Sequence, residues 1–362
     1  MKKTKKVHVV NTSESKIEDR VSYHLVQDWA STLFDKKGKL RNNPIFKTFF
    51  LPLFYLGWIL SCYQLSSKLI EKENIDYIFV SYRPPQIIII GFLLKLKHKK
   101  CKLITEYRDS WTDNPYTKFP SRIIKRVAEI IEYHILDKSD LLIVVSVVEK
   151  NRFLEKYDHI EEKIVIIRNG FYDYNVEYEK NDQFTITHSG SFYGSRQPDF
   201  FLKGYKKFIK NRKINDSKLV FVGKLDEKNI DKISKLGLLN YVELVGNLDY
   251  KESLSKICNS SALLLIEYTD SMTSKIYDYI SSGNPIIALT NNIELIKFIK
   301  KYSPHSEIIT DNDIEKIVTS INTLYDEWKN GVKPTFDKKD EFFRKYSRMS
   351  LAKKLVHEIE QI

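Results

Sequence analysis

The chain has 362 residues, of which 42% are hydrophobic and 29% charged, and a formal net charge of +12. That length exceeds what one hydrophobic core usually serves, so two domains are expected, and the composition excludes wholesale disorder. The positive excess favours acidic partners such as nucleic acid, anionic lipid or phosphorylated small molecules, although a chain this rich in Lys, Ile and Asn also has the composition that AT-rich codons give.

The chain opens on a basic stretch, Met1 to Lys6, a short apolar run, Val7 to Val10, and then polar sequence, with no signal-peptide core. The first predicted strand is 6–10. Residues 48–67, TFFLPLFYLGWILSCYQLSS, carry no charge and approach the length of a membrane span. Pro52, Gly57, Gln64 and several hydroxyls interrupt the run. A buried helix is the first reading. A helix in the membrane interface, with Phe49, Phe50, Phe54, Tyr55 and Trp58 as anchors, is the second. Strands follow at 77–81, 102–106, 141–146 and 163–167, each rich in Ile, Val or Leu as strands covered on both faces are. Helical stretches such as 86–97 and 121–136 lie between them. Polar residues 169–182 read as the inter-domain linker.

The second half repeats this alternation. Strands are predicted at 184–188, 218–222, 242–245, 262–267, 285–289 and 307–309. Helices include 198–211, 250–258, 274–282 and 313–328, and 339–362 has helical spacing. Strands alternating with helices indicate two open α/β domains with parallel sheets, whose ligands bind at the carboxyl ends of the strands. Cys62, Cys101 and Cys258 are scattered, odd in number and without C-x-x-C spacing. That argues against a disulfide framework or a zinc site and fits a reducing cytoplasm.

The most informative segment runs from Asp270 to Pro285, DSMTSKIYDYISSGNP. After an apolar strand it reads as a loop, a helix starting near Thr273 and Ser274, and a stop at Gly283 and Pro285. A helix start offers free N–H groups and partial positive charge to a diphosphate, and Lys275 adds a full charge. Asp278, three residues on, shares that face and suits a ribose diol, while Asp270 on the loop suits sugar hydroxyls. Taken alone, the segment is equally an exposed helix with an ordinary Lys–Asp pair. A second segment, Thr187 to Asp199, THSGSFYGSRQPD, takes a strand into a glycine loop and a helix. Val222-Gly223-Lys224 and Val245-Gly246 end two further strands. In the first half, Glu106-Tyr107-Arg108-Asp109-Ser110-Trp111 ends a strand with an Arg, an acid and an indole. These suit recognition of a sugar, or equally an Arg–Asp pair bracing a loop. His188 faces a donor or is structural.

Together these segments resemble family 4 glycosyltransferases of the GT-B fold, of the bacterial surface-polysaccharide type. Asp270 and Asp278 stand where the E-x7-E segment has its acids, and S-K-I-Y-D-Y followed by S-G-N-P-I-I is similar to T-K-x-x-E-Y…G-x-P-I. The glycine loop resembles the family's, except that Ser191 stands where an Arg is usual and Arg196 where a Lys is. R-D-x-W, Ser81 to Pro85 and Arg168-Asn169-Gly170 resemble first-domain segments of the same relatives. The likeness spans about 75–355. Ahead of it either VHVV is the first strand without its glycine loop, as no Gly precedes Gly38, or a first unit is missing.

The resemblance implies two Rossmann-like domains: an acceptor-side domain at 1–170, a nucleotide-sugar domain at 171–338, and a C-terminal helix at 339–362 packing back on the first. It implies transfer of a sugar from a nucleotide-sugar donor to a glycan or lipid-linked acceptor in surface polysaccharide (capsule or O-antigen) synthesis, with retention and with neither metal nor cofactor. Arg196, Lys275 and Asp270 would be catalytic. Gly190, Ser191, Val245, Gly246, Ser274 and Asp278 would bind the donor, and Arg108, Asp109 and Trp111 the acceptor. The implied place is the cytoplasm, with peripheral contact to anionic membrane and no nucleic-acid partner. A catalytically weakened partner subunit is the alternative, favoured by Ser191 and the paired Asp residues.

Overall fold

The computed structural model describes residues 7–11, 21–26, 56–82, 84–114, 117, 119–173, 182–270, 272–332, 336 and 338–362. It divides into two compact units, Met1–Ile167 with His357–Ile362, and Arg168–Val356.

In the first unit β1 (Val7–Asn11) pairs in parallel with β2 (Val21–Leu25). VHVV is therefore a strand, and its partner, VSYHL, is a strand absent from the predicted elements, although Val21, Tyr23 and Leu25 alternate with Ser22 and His24. The main sheet has four parallel strands in sequence order: β3 (Tyr77–Tyr82), β4 (Lys102–Tyr107), β5 (Leu141–Val144) and β6 (Ile164–Ile166). Helices α1 (Leu56–Glu73), α2 (Pro85–Lys97), α3 (Arg122–Lys138) and α4 (Val147–Lys156) accompany it. α2 starts on a proline, which needs no N–H there. Ser121 caps α3 by accepting from Ile124 N, and Ser146 caps α4 by accepting from Glu149 N. Gly91 lets α2 approach the sheet, since a Cβ there would lie 2.7 Å from Val80 Cγ1.

Residues 48–55 lie outside the described residues, as do 174–181 of the expected linker. The described part of the uncharged stretch is the start of α1. Its Trp58 is 7% exposed within the core cluster, so it is a core residue and not an interfacial anchor. Among the described residues no helix is long and apolar enough to cross a membrane.

The second unit has six parallel strands: β7 (Phe184–Ser189), β8 (Ser217–Val222), β9 (Val242–Gly246), β10 (Ala262–Glu267), β11 (Ile286–Thr290) and β12 (Glu307–Ile309). Their spatial order is β12-β11-β10-β7-β8-β9. Every residue of β10 and β11 is buried, which explains their unbroken apolar sequences. The helices are α5 (Asp199–Arg212), α6 (Glu227–Lys235), α7 (Tyr250–Cys258), α8 (Lys275–Ser282), α9 (Ile293–Tyr302) and α10 (Ile314–Lys329). Asp226, Asp249, Asn292 and Asp313 cap four of them with their side chains.

The stretch expected to form one C-terminal helix is two, α11 (Lys339–Tyr346) and α12 (Arg348–Glu360). The break is Ser347, which bridges to Phe171, while Arg348 N donates to Phe171 O at 2.9 Å. The α11 residue Phe342 is fully buried and stacks on Phe171 at 5.3 Å, so α11 packs in the second unit's own core.

Candidate active site

In the second unit the chain starts at the centre of the sheet, winds outward to β9, and returns to wind the other way from β10. The reversal lies between β7 and β10, and ligands of such sheets bind at the carboxyl ends of the strands beside that switch point. The expected donor residues collect there.

Three glycines shape the floor. Gly190, Gly223 and Gly246 follow or end β7, β8 and β9 with φ of +112°, +122° and +78°, conformations that side chains disfavour. Gly190 N donates to Val222 O at 2.8 Å, and Gly223 N donates to Gly246 O at 2.7 Å. A Cβ on Gly223 would come 3.0 Å from Gly190 O, and one on Gly190 would come 3.0 Å from Lys275 Nζ. The glycines thus bring three strand ends together and leave the Lys275 ammonium directly over Gly190. Val245, one residue earlier, is partly buried.

Lys275 opens α8. Ser274, at the N-cap, makes no side-chain cap; in the first turn Ile276 N donates to Thr273 O at 3.4 Å and Tyr277 N to Ser274 O at 3.2 Å. Tyr279 anchors this helix to the sheet: its hydroxyl accepts from Ser189 N at 2.8 Å and lies 3.3 Å from Leu264 O. Burial, then the neighbouring Arg196, push the Lys275 ammonium down to about 8, against the opposing pull of Glu267. It remains mostly charged at neutral pH.

Arg196 is 12% exposed in its side chain and does not stand by itself: Nη2 lies 2.5 Å from Glu267 Oε2, Nη1 donates to the Tyr193 hydroxyl, and the guanidinium sits over the Tyr193 ring at 4.8 Å. Glu267, at the end of β10, was not among the expected site residues. It is 1% exposed, and its Oε1 accepts from Thr269 N at 3.0 Å and Thr269 Oγ1 at 2.6 Å. The sequence held one signal, a lone acid closing the otherwise apolar run ALLLIE. Ser191 and Asp270 are exposed on the loops after β7 and β10.

On the next turn of α8, Asp278 Oδ1 accepts from the Tyr250 hydroxyl at 2.5 Å. Burial pushes its carboxyl up to about 6, against the lowering effects of that hydrogen bond and of Arg348. Tyr250 meets the ring of Tyr172 at 5.3 Å, and Arg348 lies over Tyr172 at 4.2 Å. His188 is 2% exposed, its Nδ1 is 2.9 Å from Leu264 O, and it stacks on Phe192 at 4.2 Å. Burial holds the imidazole well below its ordinary range, so it is a neutral, structural group.

The first unit's strand end is different. Arg108 and Asp109 are exposed after β4, and Arg108 Nε lies 3.3 Å from Glu106 Oε2. Trp111 is 7% exposed and packs in the core cluster, so the expected stacking of its indole on an acceptor sugar is not what this placement offers. The following residues brace the loop: Ser110 donates to Glu149 at 2.5 Å, and Thr112 to Glu132 at 2.5 Å. Arg83, of the segment Ser81 to Pro85, lies outside the described residues. Arg168, in the other unit, pairs with Glu294 at 2.6 Å.

Comparisons with known proteins bear on this arrangement. The model for Glycosyltransferase Family 4 matches residues 6–172, and that for Glycosyl transferases group 1 matches residues 174–348. No curated protein sequence matches the chain significantly. Among solved structures, the chain is similar to Anabaena Alr3699/HepE in complex with UDP and glucose, at 12% identity and a TM-score of 0.68, covering 99% of this chain and 100% of that one. It is similar to a glycosyltransferase from Rickettsia africae ESF-5, at 16% identity and a TM-score of 0.62, covering 94% and 85%. A putative UDP-N-acetylglucosamine 2-epimerase from Listeria monocytogenes is also similar, at 14% identity and a TM-score of 0.55, covering 83% and 79%. Fold likeness alone therefore does not choose between transfer and epimerisation; the two family matches do. With one matched in each half, over two parallel-sheet Rossmann-like units, the chain belongs to the family 4 glycosyltransferases of the GT-B fold.

Proposed function

We propose that this glycosyltransferase takes a nucleotide-sugar whose diphosphate sits against Gly190 and the start of α8, and passes the sugar, with retention and without a metal or other cofactor, to a lipid-linked glycan in surface polysaccharide synthesis. The observation that carries the reading is the Lys275 ammonium over Gly190 at an uncapped helix start, with Asp278 one turn on. Positive charge at that place, from Lys275 and the helix dipole, stabilises a departing diphosphate, which bears more charge in the transition state than in the bound donor. Lys275 and Arg196 supply the charge that a metal supplies in other transferases. Asp278, mostly ionised at neutral pH, accepts from the ribose diol, and Asp270 orients the donor sugar. Ser191, Ser274, Val245 and Gly246 contribute backbone or hydroxyl contacts.

Arg108 and Asp109, exposed at the end of β4, belong to acceptor recognition. The formal net charge of +12 supports work beside anionic lipid at the cytoplasmic face of a membrane. Since Trp58 is a core residue, its fluorescence does not report such contact, and co-sedimentation with anionic vesicles is the suitable assay. The Anabaena protein solved with UDP and glucose makes uridine donors the first to try.

One observation favours a weakened partner subunit instead. Where relatives have an Arg and a Lys, this site has Ser191 and an arginine already paired with Glu267. Donor turnover decides between the two readings. Assays of UDP-, GDP- and ADP-sugars with lipid-extract acceptors should give a glycosylated product whose linkage, read by NMR, keeps the donor's anomeric configuration. Binding of nucleoside diphosphates with no turnover on any acceptor supports the partner subunit. An inverted product overturns retention.

A further inference from the structure

Glu267 is an anion buried beside a site built for anions. A carboxylate placed there works against phosphate binding unless it does something else. Its partners indicate what that is. One oxygen is fixed by Thr269 N and Thr269 Oγ1, at 3.0 and 2.6 Å, and the other lies 2.5 Å from Arg196 Nη2. The carboxylate is therefore held on one side by its own loop and holds a guanidinium on the other. With 1% exposure it is among the most enclosed charges of the unit. Arg196 comes from a different loop, the one joining β7 to α5, and reaches β10 across the switch point. An arginine has a long flexible stem, and a planar fork makes parallel hydrogen bonds only when its plane is set. The Tyr193 ring lies 4.8 Å from the guanidinium and its hydroxyl accepts from Nη1, while Glu267 faces Nη2 as an ion pair, so the guanidinium is held from two sides.

We propose that Glu267 is a positioning residue for donor binding: it fixes the Arg196 guanidinium in advance, so that the single arginine of this loop meets the diphosphate without being ordered at that moment. The inference rests on the reading of this site as the diphosphate site. It also accounts for the departure at Ser191. With no arginine at 191, the site depends on Arg196 being aimed, and the buried acid supplies the aim. Ordering a group before the ligand arrives raises affinity by lowering the cost of binding, and here that gain exceeds the repulsion between Glu267 and phosphate.

The sign of one substitution tests this. Removing an anion beside an anion site strengthens anion binding if charge alone matters. If Glu267 positions Arg196, Glu267→Gln weakens it. The probe is inorganic pyrophosphate, which needs no knowledge of base or sugar, titrated calorimetrically into the full-length chain. The expected result is about tenfold weaker binding in Glu267→Gln, with partial recovery in Glu267→Asp. In an Arg196→Ala background the same Gln substitution should no longer weaken binding, because nothing remains to be aimed. Tighter or unchanged binding in Glu267→Gln overturns the proposal, as does an undiminished effect in the Arg196→Ala background. If Glu267→Gln does not fold, Glu267→Asp, with weaker pyrophosphate binding at preserved unfolding temperature, carries the same test. The underlying site reading fails separately. In that case Lys275→Ala and Arg196→Ala bind pyrophosphate as the parent does, whatever happens at Glu267.

Discussion

The carboxyl ends of β4 and of β7 and β10 are built from the same α/β alternation, yet they present opposite surfaces. After β4, beyond the exposed Arg108 and Asp109, the chain turns inward: Ser110, Trp111, Thr112 and Asn114 are buried, and Glu149 and Glu132 accept from the two hydroxyls. After β7, β8 and β9 the chain uses glycines at positive φ, so backbone is exposed where side chains would otherwise stand. Into that opening come one ammonium from α8 and one guanidinium tied to a buried acid. A loop closed by side chains has the build of a support; a loop opened by glycine and lined by partly buried charge has the build that suits an anion. Substitutions of the buried groups should therefore act on stability in the first region, and substitutions of the charged groups on ligands in the second.

The largest expected effect sharpens the first half of that contrast. Trp111→Ala should lower unfolding free energy by about 3–5 kcal/mol, the usual cost of emptying a buried indole site. Chemical denaturation measures it, and a loss of under 1 kcal/mol would mean that the indole is not part of the core. Next comes Lys275→Ala, which should cut turnover about a hundredfold, as expected for a cation facing a departing diphosphate, with little loss of stability. Steady-state rates and thermal unfolding together check this, and a variant that loses stability and rate in proportion would place Lys275 with the supports.

Asp278→Asn should weaken nucleoside diphosphate binding by roughly tenfold to a hundredfold, the range for lost hydrogen bonds to a charged acceptor. The same change should raise the unfolding temperature at pH 7.5. The free carboxyl is pushed up to about 6 by burial, so it resists ionisation. The protonated form is thus favoured by folding, and this group's contribution falls as pH rises from the ordinary Asp range through 6. An amide carries no such cost. Parallel loss of stability and affinity would contradict this account. The smallest effect belongs to Arg108→Ala and Asp109→Asn, which should change nucleoside diphosphate affinity by less than about threefold while altering the KM for acceptor. Both groups are exposed, and exposed charges away from a ligand contribute little to its binding.

The sequence made the parallel strands legible because strands covered on both faces are continuous apolar runs, and those in the described residues fall within one or two residues of their expected bounds. β2 has no apolar run to announce it; its only signal is the alternation of Val21, Tyr23 and Leu25 with Ser22 and His24 over five residues. α4, α6 and α9 are short helices absent from the predicted elements, though Ser146, Asp226 and Asn292 each begin one with a side-chain cap. The loop-plus-helix segment around Lys275 was legible from its punctuation, because Gly283 and Pro285 end the helix whatever its surroundings. What the sequence could not supply was direction. Trp58 and Trp111 look alike as candidates for contact with membrane or sugar, and only packing shows that both point into a core. Glu267 likewise reads as a strand's last residue until Arg196 is found 2.5 Å away from a loop some seventy positions earlier in the chain.

The proposed hold of the second unit's switch point on a nucleoside diphosphate, through Lys275 and Asp278, is tested by the affinity of the parent and of Asp278→Asn for UDP, GDP and ADP between pH 5 and 9, expressed as a ratio so that the ligand's own ionisation cancels. With the Asp278 carboxyl at about 6 and the Lys275 ammonium at about 8, parent affinity should peak between those values. It should fall below the lower as the acceptor protonates and above the upper as the cation is lost. The ratio of parent to variant should shrink towards one as pH drops through 6. A ratio near one at every pH would show that the ribose lies elsewhere and contradict the account.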